Sequence, residues 1–371
     1  MTILKKFLFL VYLLVSVSAF SQKKQLETII VLPHTEVKDQ GSTGTCWCFS
    51  ILSILESELL KKGIEHPDLS ELFVVRNVYI EKAKNYILRQ GFTRFSEGAF
   101  GHDVFPAIEK YGIVPQEVYP NSDNNSKMNH TGFDIELKSF LDSVLQIIPI
   151  SPAWQNAFVK KLDEKFGVPP EKFIYQGKEY TPITFAREVL QFSSDDFIGL
   201  TSFTHHPFYK PFNVEVPDNY SGGLFYNLPI TELIETVEYA ISNCYTVGWD
   251  ADVSNKFFNQ KVGLAMIPKN TPEITAITDV DEEEIAYTQE SRQELFENLT
   301  TQDDHLMHIV GLKKSPKGKL FFYIKNSWGP LGPLAGFLNV SETYFGVNTI
   351  TVVLPVNGIP QNIRTKLGLT R

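Results

Sequence analysis

The run Gln40-Gly-Ser-Thr-Gly-Thr-Cys46-Trp-Cys-Phe-Ser50 changes character at its centre. Up to Gly44 it is rich in turn formers. From Thr45 onward Phe49, Leu52, Leu55 and Leu59 recur at helical spacing, until Lys61-Lys62-Gly63 supplies a C-terminal stop. Cys46 therefore stands where a helix begins. The unpaired N–H groups there and the positive end of the helix dipole favour thiolate, the reactive form of the side chain. Trp47 and Phe49 make the helix a buried one with a rigid first turn. Gln40 lies upstream in the loop, where its amide can donate to an oxyanion beside the backbone N–H of the cysteine. Plainer readings compete. A cysteine on an apolar helix is more often a small core residue. Cys46-Trp47-Cys48 could be a redox or metal pair, but its one-residue spacing is unlike the two-residue spacing of such motifs, and Cys244 is the only further cysteine. No metal or cofactor is expected. Cys48 reads as core, with a Cys48–Cys244 disulfide left open.

Outward from this segment, 26–35 reads as a strand or extended lead-in, and helices are expected over 72–89, 104–111 and 231–243. Gly112 and Pro115 close the second of these. Residues 121–129 are polar and asparagine-rich, and 135–192 carry helical patterns broken by prolines. Later the period shifts to strands, at 245–249, 307–312, 320–325, 337–340 and 349–354. Helices first and strands later predict an α+β fold with a helical lobe and a β lobe, not alternating βαβ units.

A nucleophilic cysteine needs a base, and the base needs a group to orient it. His305 opens one strand pattern, Lys314-Ser-Pro-Lys-Gly318 is a turn signal, and Asn326 follows the return strand. A turn centred between Ser315 and Pro316 sets His305 opposite Asn326, at roughly 5 Å in an antiparallel pair. Trp328 is near enough to shield that contact. His308, three residues on, points to the other sheet face. His34, His66, His102, His130, His205 and His206 lack an equivalent partner, and the His205-His206 pair has no motif context for a metal.

The Cys46 segment resembles the active-site segment of papain-like cysteine peptidases. Asp304-His305 with Val310-Gly311, and Lys325-Asn326-Ser327-Trp328-Gly329, resemble their histidine and asparagine segments, in the same order. Glu109-Lys-Tyr-Gly-Ile-Val-Pro115, Val168-Pro-Pro-Glu-Lys-Phe173, Tyr180-Thr-Pro182, Ser221-Gly-Gly and Asn227-Leu-Pro-Ile230 are similar to the bleomycin hydrolase and aminopeptidase C branch. Thr43 stands where many secreted papains have a disulfide cysteine. The resemblance runs from about Val31 to Leu369. It implies a papain-like fold with a β-sheet or barrel lobe and a mostly helical insertion near 121–220. It implies Cys46 as nucleophile, His305 as base and acid, Asn326 as orienting residue and Gln40 in the oxyanion hole. Gly98-Ala99, Asp304 and Trp328 are implied to meet substrate. Amide hydrolysis through an acyl-enzyme thioester follows, most consistently as an aminopeptidase. The alternatives are an open-cleft endopeptidase and a binding protein that has lost catalysis. In this branch a C-terminal arm enters the cleft and restricts cutting to free N-termini, and the chain assembles into a ring. Here 359–371 matches the approach to that arm and ends before it.

The rest of the composition narrows the setting. The chain has 371 residues, 43% hydrophobic and 21% charged, with 34 basic against 43 acidic side chains and a net charge of −9. That balance, without a basic stripe, argues against nucleic acid as a partner. Lys5 and Lys6 precede an apolar run from Phe7 to Phe20, with Ala19 and Ser21 before Gln22. This is the layout of a secretory signal peptide over 1–21, too short to span a membrane. An exported protein with a peptidase domain over 22–371, no stable membrane anchor and peptide substrates is expected. The Asp281-Glu-Glu-Glu284 run is expected to be a solvated loop rather than a specificity patch.

Overall fold

The computed structural model describes residues 26–121, 127–277 and 279–369, so the expected signal peptide lies outside the described residues. β1 (Glu27–Val31) leads through an extended stretch to the Gln40 loop. α1 (Cys46–Lys61) begins at the cysteine and is buried on nearly every face. α2 (Glu71–Leu88) starts where the Ser70 hydroxyl accepts the Phe73 N–H, an N-cap that satisfies one orphan donor. α3 (Val104–Tyr111) stops at Gly112, whose φ of +78° only glycine adopts readily. A Cβ there would lie 2.1 Å from the Pro182 backbone.

α4 (Phe133–Leu145) and α5 (Trp154–Phe166) pack on α2. Between them and α6 (Pro182–Phe185) lies a hairpin of β2 (Phe173–Tyr175) and β3 (Lys178–Tyr180). One apolar core runs from α1 through α5 and on to Phe203 and Phe225. The 133–190 segment thus shares the core of the helical lobe.

The β lobe is a large sheet. It is built from β4 (Phe197–Thr201), β5 (Pro211–Asn213), β6 (Leu224–Asn227), β7 (Val247–Ala251), β8 (Phe258–Asn259) and β9 (Leu264–Ala265). β10 (His305–Lys314), β11 (Leu320–Lys325), β12 (Phe337–Ser341) and β13 (Thr349–Pro355) complete it. The order is β5-β6-β4-β13-β7-β10-β11-β12-β9-β8, with β1 added on β10. Most pairs are antiparallel; β4–β6 and β9–β12 are parallel. α7 (Ile230–Ser242), α8 (Gln289–Glu297), α9 (Glu342–Asn348) and α10 (Gln361–Leu367) surround it. Trp249, Phe322 and Phe345 lie in its core, which also takes Ile363 and Leu367 of α10.

The lobes meet where α1 lies across β10 and β7. The Ser50 hydroxyl donates to Met307 O at 2.7 Å, and Ser53 Oγ lies 2.8 Å from His308 Nδ1. Gly248 in β7 lets α1 come close: a Cβ there would sit 3.0 Å from Ile54. Glycine is needed for close approach, not for its dihedrals.

The β10–β11 register differs from the expected one. His308 pairs with Lys325 and Lys314 with Leu320, so the turn lies between Ser315 and Lys319 and His305 is not opposite Asn326. A bulge between Ile309 and Gly311 shifts the ladder again. It falls where β1 crosses, since a Cβ on Gly311 would lie 2.5 Å from Ile30 O.

Candidate active site

Lys38–Gln40 runs antiparallel to Ser327–Gly329. Gln40 N–H donates to Ser327 O at 2.8 Å and Gly329 N–H to Lys38 O at 3.1 Å. Gln40 is buried and held from both ends. Its Oε1 accepts from the Ser327 hydroxyl at 2.6 Å, and one of its Nε2 hydrogens goes to Thr43 O at 2.7 Å. Gly41, at φ +64°, turns the loop against Met128, whose carbonyl a Cβ would strike at 2.2 Å. Thr45 occupies the N-cap of α1, but its hydroxyl pairs with Thr43 Oγ1 at 2.6 Å and caps nothing. The first N–H groups of α1 are thereby left to the cysteine. The Cys46 thiol meets the backbone N–H groups of Trp47 and of Leu306, the residue after His305. The contact with Leu306 brings the helix start to the start of β10.

His305 and Asn326 are brought together in spite of the shifted register. His305 Nε2 lies 2.7 Å from Asn326 Oδ1. The Ser327 backbone N–H donates to that same oxygen at 2.7 Å, and Asn326 Nδ2 donates to Gln260 Oε1 at 2.9 Å. These two bonds identify the oxygen, so the proton of the imidazole sits on Nε2 and Nδ1 keeps a lone pair. Trp328 stacks on the ring at 4.6 Å between centroids, tilted by 25°. Gln260 is itself pinned by donating to Phe337 O at 3.1 Å.

Burial works against the thiolate that the helix start favours. Burial pushes the Cys46 thiol up to about 12, and the carboxyls of Asp250 and Asp303 add to the effect. The N–H groups of Leu306 and Trp47 pull the other way but are outweighed. Burial likewise lowers His305 to about 4, against the opposing bond to Asn326. Desolvation disfavours each charged form, and here it exceeds the helix-terminus contribution. Both shifts oppose charge on either group taken singly.

Of the remaining expected residues, Gly98 lies next to the loop: a Cβ on Gly44 would stand 3.8 Å from its backbone nitrogen. The Trp47 indole N–H donates to Glu97 O at 3.1 Å, and the buried Lys82 ammonium donates to the carbonyls of Ser96 and Gly98. Ala99 is buried. Asp304 turns away from the imidazole, accepting the Val253 N–H at 3.2 Å. His308 is buried against Ser53 of α1. His205 and His206 each contact one oxygen of Glu215, at 3.0 and 2.6 Å, a trio of metal-ligating type at the surface beside β5. All three cysteines are free. Cys48 is buried and directs its thiol at Glu71 O, and Cys244 is exposed, so the disulfide left open does not form. The acidic run is not a solvated loop. Asp281 is buried and takes the Ser315 hydroxyl, while Glu284 accepts from Ile267 N at 2.9 Å and Ser341 Oγ at 2.6 Å. Both carboxylates brace turns of the sheet, which a run of like charges does not announce. Sequence reasoning also missed Gln260 and Ser327, and the carboxyls of Asp250 and Asp303 near the thiol. Only Ser327, next to Asn326, had a local signal.

Comparison with known proteins places this geometry. The papain family cysteine protease profile matches residues 29–146, and the peptidase C1-like family matches residues 154–369. Aminopeptidase G of Lactobacillus delbrueckii subsp. lactis is 24% identical over 365 residues, covering 87% of this chain and 81% of that protein. Human bleomycin hydrolase is 25% identical, covering 88% and 81%. Aminopeptidase C of Streptococcus thermophilus is also 25% identical, over 88% and 81%. The crystal structure of PepW from Lactobacillus rhamnosis superposes with a TM-score of 0.75 at 19% identity, over 93% of this chain and 85% of that one, so the fold is shared. The first profile contains Gln40 and Cys46, the second contains His305 and Asn326, and the chain belongs to the peptidase C1-like family of papain-like cysteine peptidases.

Proposed function

We propose that the protein is an exported cysteine aminopeptidase, with Cys46, His305, Asn326 and Gln40 as its catalytic group. The observation that carries the reading is the Cys46 thiol against the Leu306 N–H, with the neighbouring His305 held through Nε2 to Asn326 at 2.7 Å. Nδ1 is then the basic atom available to the thiol. In the first step the Sγ–H proton passes to Nδ1 as sulfur attacks the scissile carbonyl carbon. The oxyanion takes the second Nε2 hydrogen of Gln40 and the backbone N–H of Cys46. His305 returns its proton to the departing amine, leaving a thioester on Cys46. Water gives a proton to Nδ1 as its oxygen attacks the thioester carbon, the C–S bond breaks to free the acid, and Nδ1 returns the proton to Sγ.

The choice of aminopeptidase rests on relatives carrying the names aminopeptidase G and aminopeptidase C. It is tested by a mass-spectrometric time course on a peptide with a free N-terminus and its acetylated twin, beside Cys46→Ala. Stepwise shortening of the free peptide alone supports it. Internal cuts in both peptides make the protein an endopeptidase, and no cleavage of either, equal to Cys46→Ala, favours a binding role. Export rests on the layout of residues 1–21. N-terminal sequencing of the protein recovered outside the cytoplasm should begin at Gln22; an intact Met1 on all of it refutes processing.

A further inference from the structure

Lys82 of α2 carries a buried cation whose use the chemistry above leaves open. Its side chain is 3% exposed, and Asp218 and Asp103 act on it only through space, without a hydrogen bond. An ammonium taken out of water without a contacting counter-ion is costly, so its remaining contacts matter. It donates to Ser96 O at 2.7 Å and to Gly98 O, and it stands 5.0 Å from the centre of the Tyr220 ring. No other donor among the described residues reaches either carbonyl. One compact charge with three hydrogens suits two carbonyls and a ring face arriving from different directions. Asn85, one turn along α2, donates to Tyr220 O at 3.0 Å and keeps that ring in place.

The segment that Lys82 holds is the one beside Cys46. The Trp47 indole N–H donates to Glu97 O at 3.1 Å, and the Gly44 N–H donates to the Glu97 carboxylate. Residues on both sides of Thr45-Cys46 thus grip Glu97, while Lys82 grips the carbonyls before and after it. Asp218 closes the space at Gly98, where a Cβ would lie 1.9 Å from its Oδ2. A cleft wall fixed before binding removes the ordering of that wall from the cost of binding.

We propose that Lys82 is a positioning residue for substrate: its ammonium clamps the Ser96 and Gly98 carbonyls and so fixes segment 96–98 where a peptide lies against it beside Cys46. The proposal rests on the reading of Cys46 as nucleophile and Gly98 as a substrate contact. Lys82 touches no reacting atom and acts through the segment alone. The clamp also titrates. Burial brings the ammonium down to about 8, against Asp218 and Asp103, with Arg94 adding to the fall and Asp134 opposing it. The amine left after loss of the proton is an uncharged and weaker donor to the same carbonyls.

The test follows the first cut in tetra-alanine and in its acetylated twin by mass spectrometry. It is read on whichever the wild-type protein cleaves, so end preference does not enter. Lys82→Met should raise KM roughly 10-fold with kcat within about 3-fold, since binding contacts are lost and the reacting groups are not. Alkylation of Cys46 by iodoacetamide, a reagent too small to need the segment, should stay within about 2-fold of wild type. Lys82→Arg should recover part of the KM. The ratio of wild-type KM to that of Lys82→Arg should rise from about pH 7 to about pH 9, because the guanidinium keeps its charge there. Titration of the substrate's own amine cancels in that ratio. An unchanged KM in Lys82→Met overturns the proposal. So does a loss of kcat and of alkylation rate that matches the rise in KM, which is what a merely structural lysine gives. If Lys82→Met does not fold, the pH comparison decides, and a flat ratio overturns the proposal. Cleavage of neither peptide by the wild-type protein is a separate failure, which removes the peptidase reading of the site and the proposal with it.

Discussion

Asn326 orients His305 by accepting from its Nε2, and its own orientation is held by Ser327 N–H and Gln260. Removing the amide frees the ring to rotate and to change tautomer, so Nδ1 no longer faces the thiol in a fixed direction. Asn326→Ala should lower kcat by roughly 100-fold with KM changed only a few-fold, since the amide reaches the base and not the substrate. Gln260→Ala should give a smaller loss in the same parameter, which steady-state kinetics on one peptide would check. Equal effects on KM would point to a damaged cleft. At this scale the residues proposed for the chemistry have local signatures: a cysteine at a loop-to-helix boundary, a histidine opening a strand, an asparagine two residues before a tryptophan. Gln260 and Asp250 were not legible, because they come to the site through contacts between distant segments that no local spacing encodes.

Among elements, the loop that carries Gln40 is tied to α1 and α2 through one ammonium. Lys38 Nζ reaches Glu56 at 2.9 Å, Glu71 at 2.7 Å and Asp68 at 2.7 Å. Burial opposes its charge, but Glu71, Glu56 and Asp68 outweigh that and hold its pKa well above the usual lysine range. Glu56 and Glu71 are each 1% exposed, so without the cation two buried carboxylates face one another. Lys38→Met should destabilise the fold by about 3–5 kcal/mol in urea titrations, and Glu71→Gln added to it should recover part of the loss. A loss under about 1 kcal/mol would mean that the carboxylates are solvated after all. An element end followed from local chemistry where a glycine marks it, as at Gly112. The β2–β3 hairpin escaped notice because its strands are three residues each, too short for a period-2 pattern to show beside the Gln176-Gly177 turn. The β10–β11 register was misread because the bulge beside Gly311 answers to the crossing of β1, a tertiary cause.

For the molecule as a whole, helices first and strands later gave away the two lobes, but the acid response of the assembled protein depends on burial that only folding creates. Burial lowers His34, His130, His305 and His308, whereas it raises Asp250, Asp303 and Glu71, and the two sets act on stability with opposite sign. His130 isolates one contribution. It sits outside the proposed catalytic group, its backbone N–H donates to Ser42 O at 3.1 Å, and its ring lies 4.8 Å from that of Phe166, where α5 meets the Gln40 loop. Burial, helped by Lys165, brings it down to about 4 from 6.5. As pH falls below 6.5 the unfolded imidazole binds a proton and the folded one does not, until about pH 4. The stability associated with the neutral ring is thus present above 6.5 and lost between 6.5 and 4, by about 3 kcal/mol in all. His130→Phe keeps a ring against Phe166 and removes the proton site. The difference between the two proteins in urea-unfolding free energy should therefore shift in favour of the variant by about 1.4 kcal/mol per pH unit across that window, and stay flat above it. A difference constant from pH 4 to 7 would show that the imidazole reaches solvent and titrates as it does in the unfolded chain.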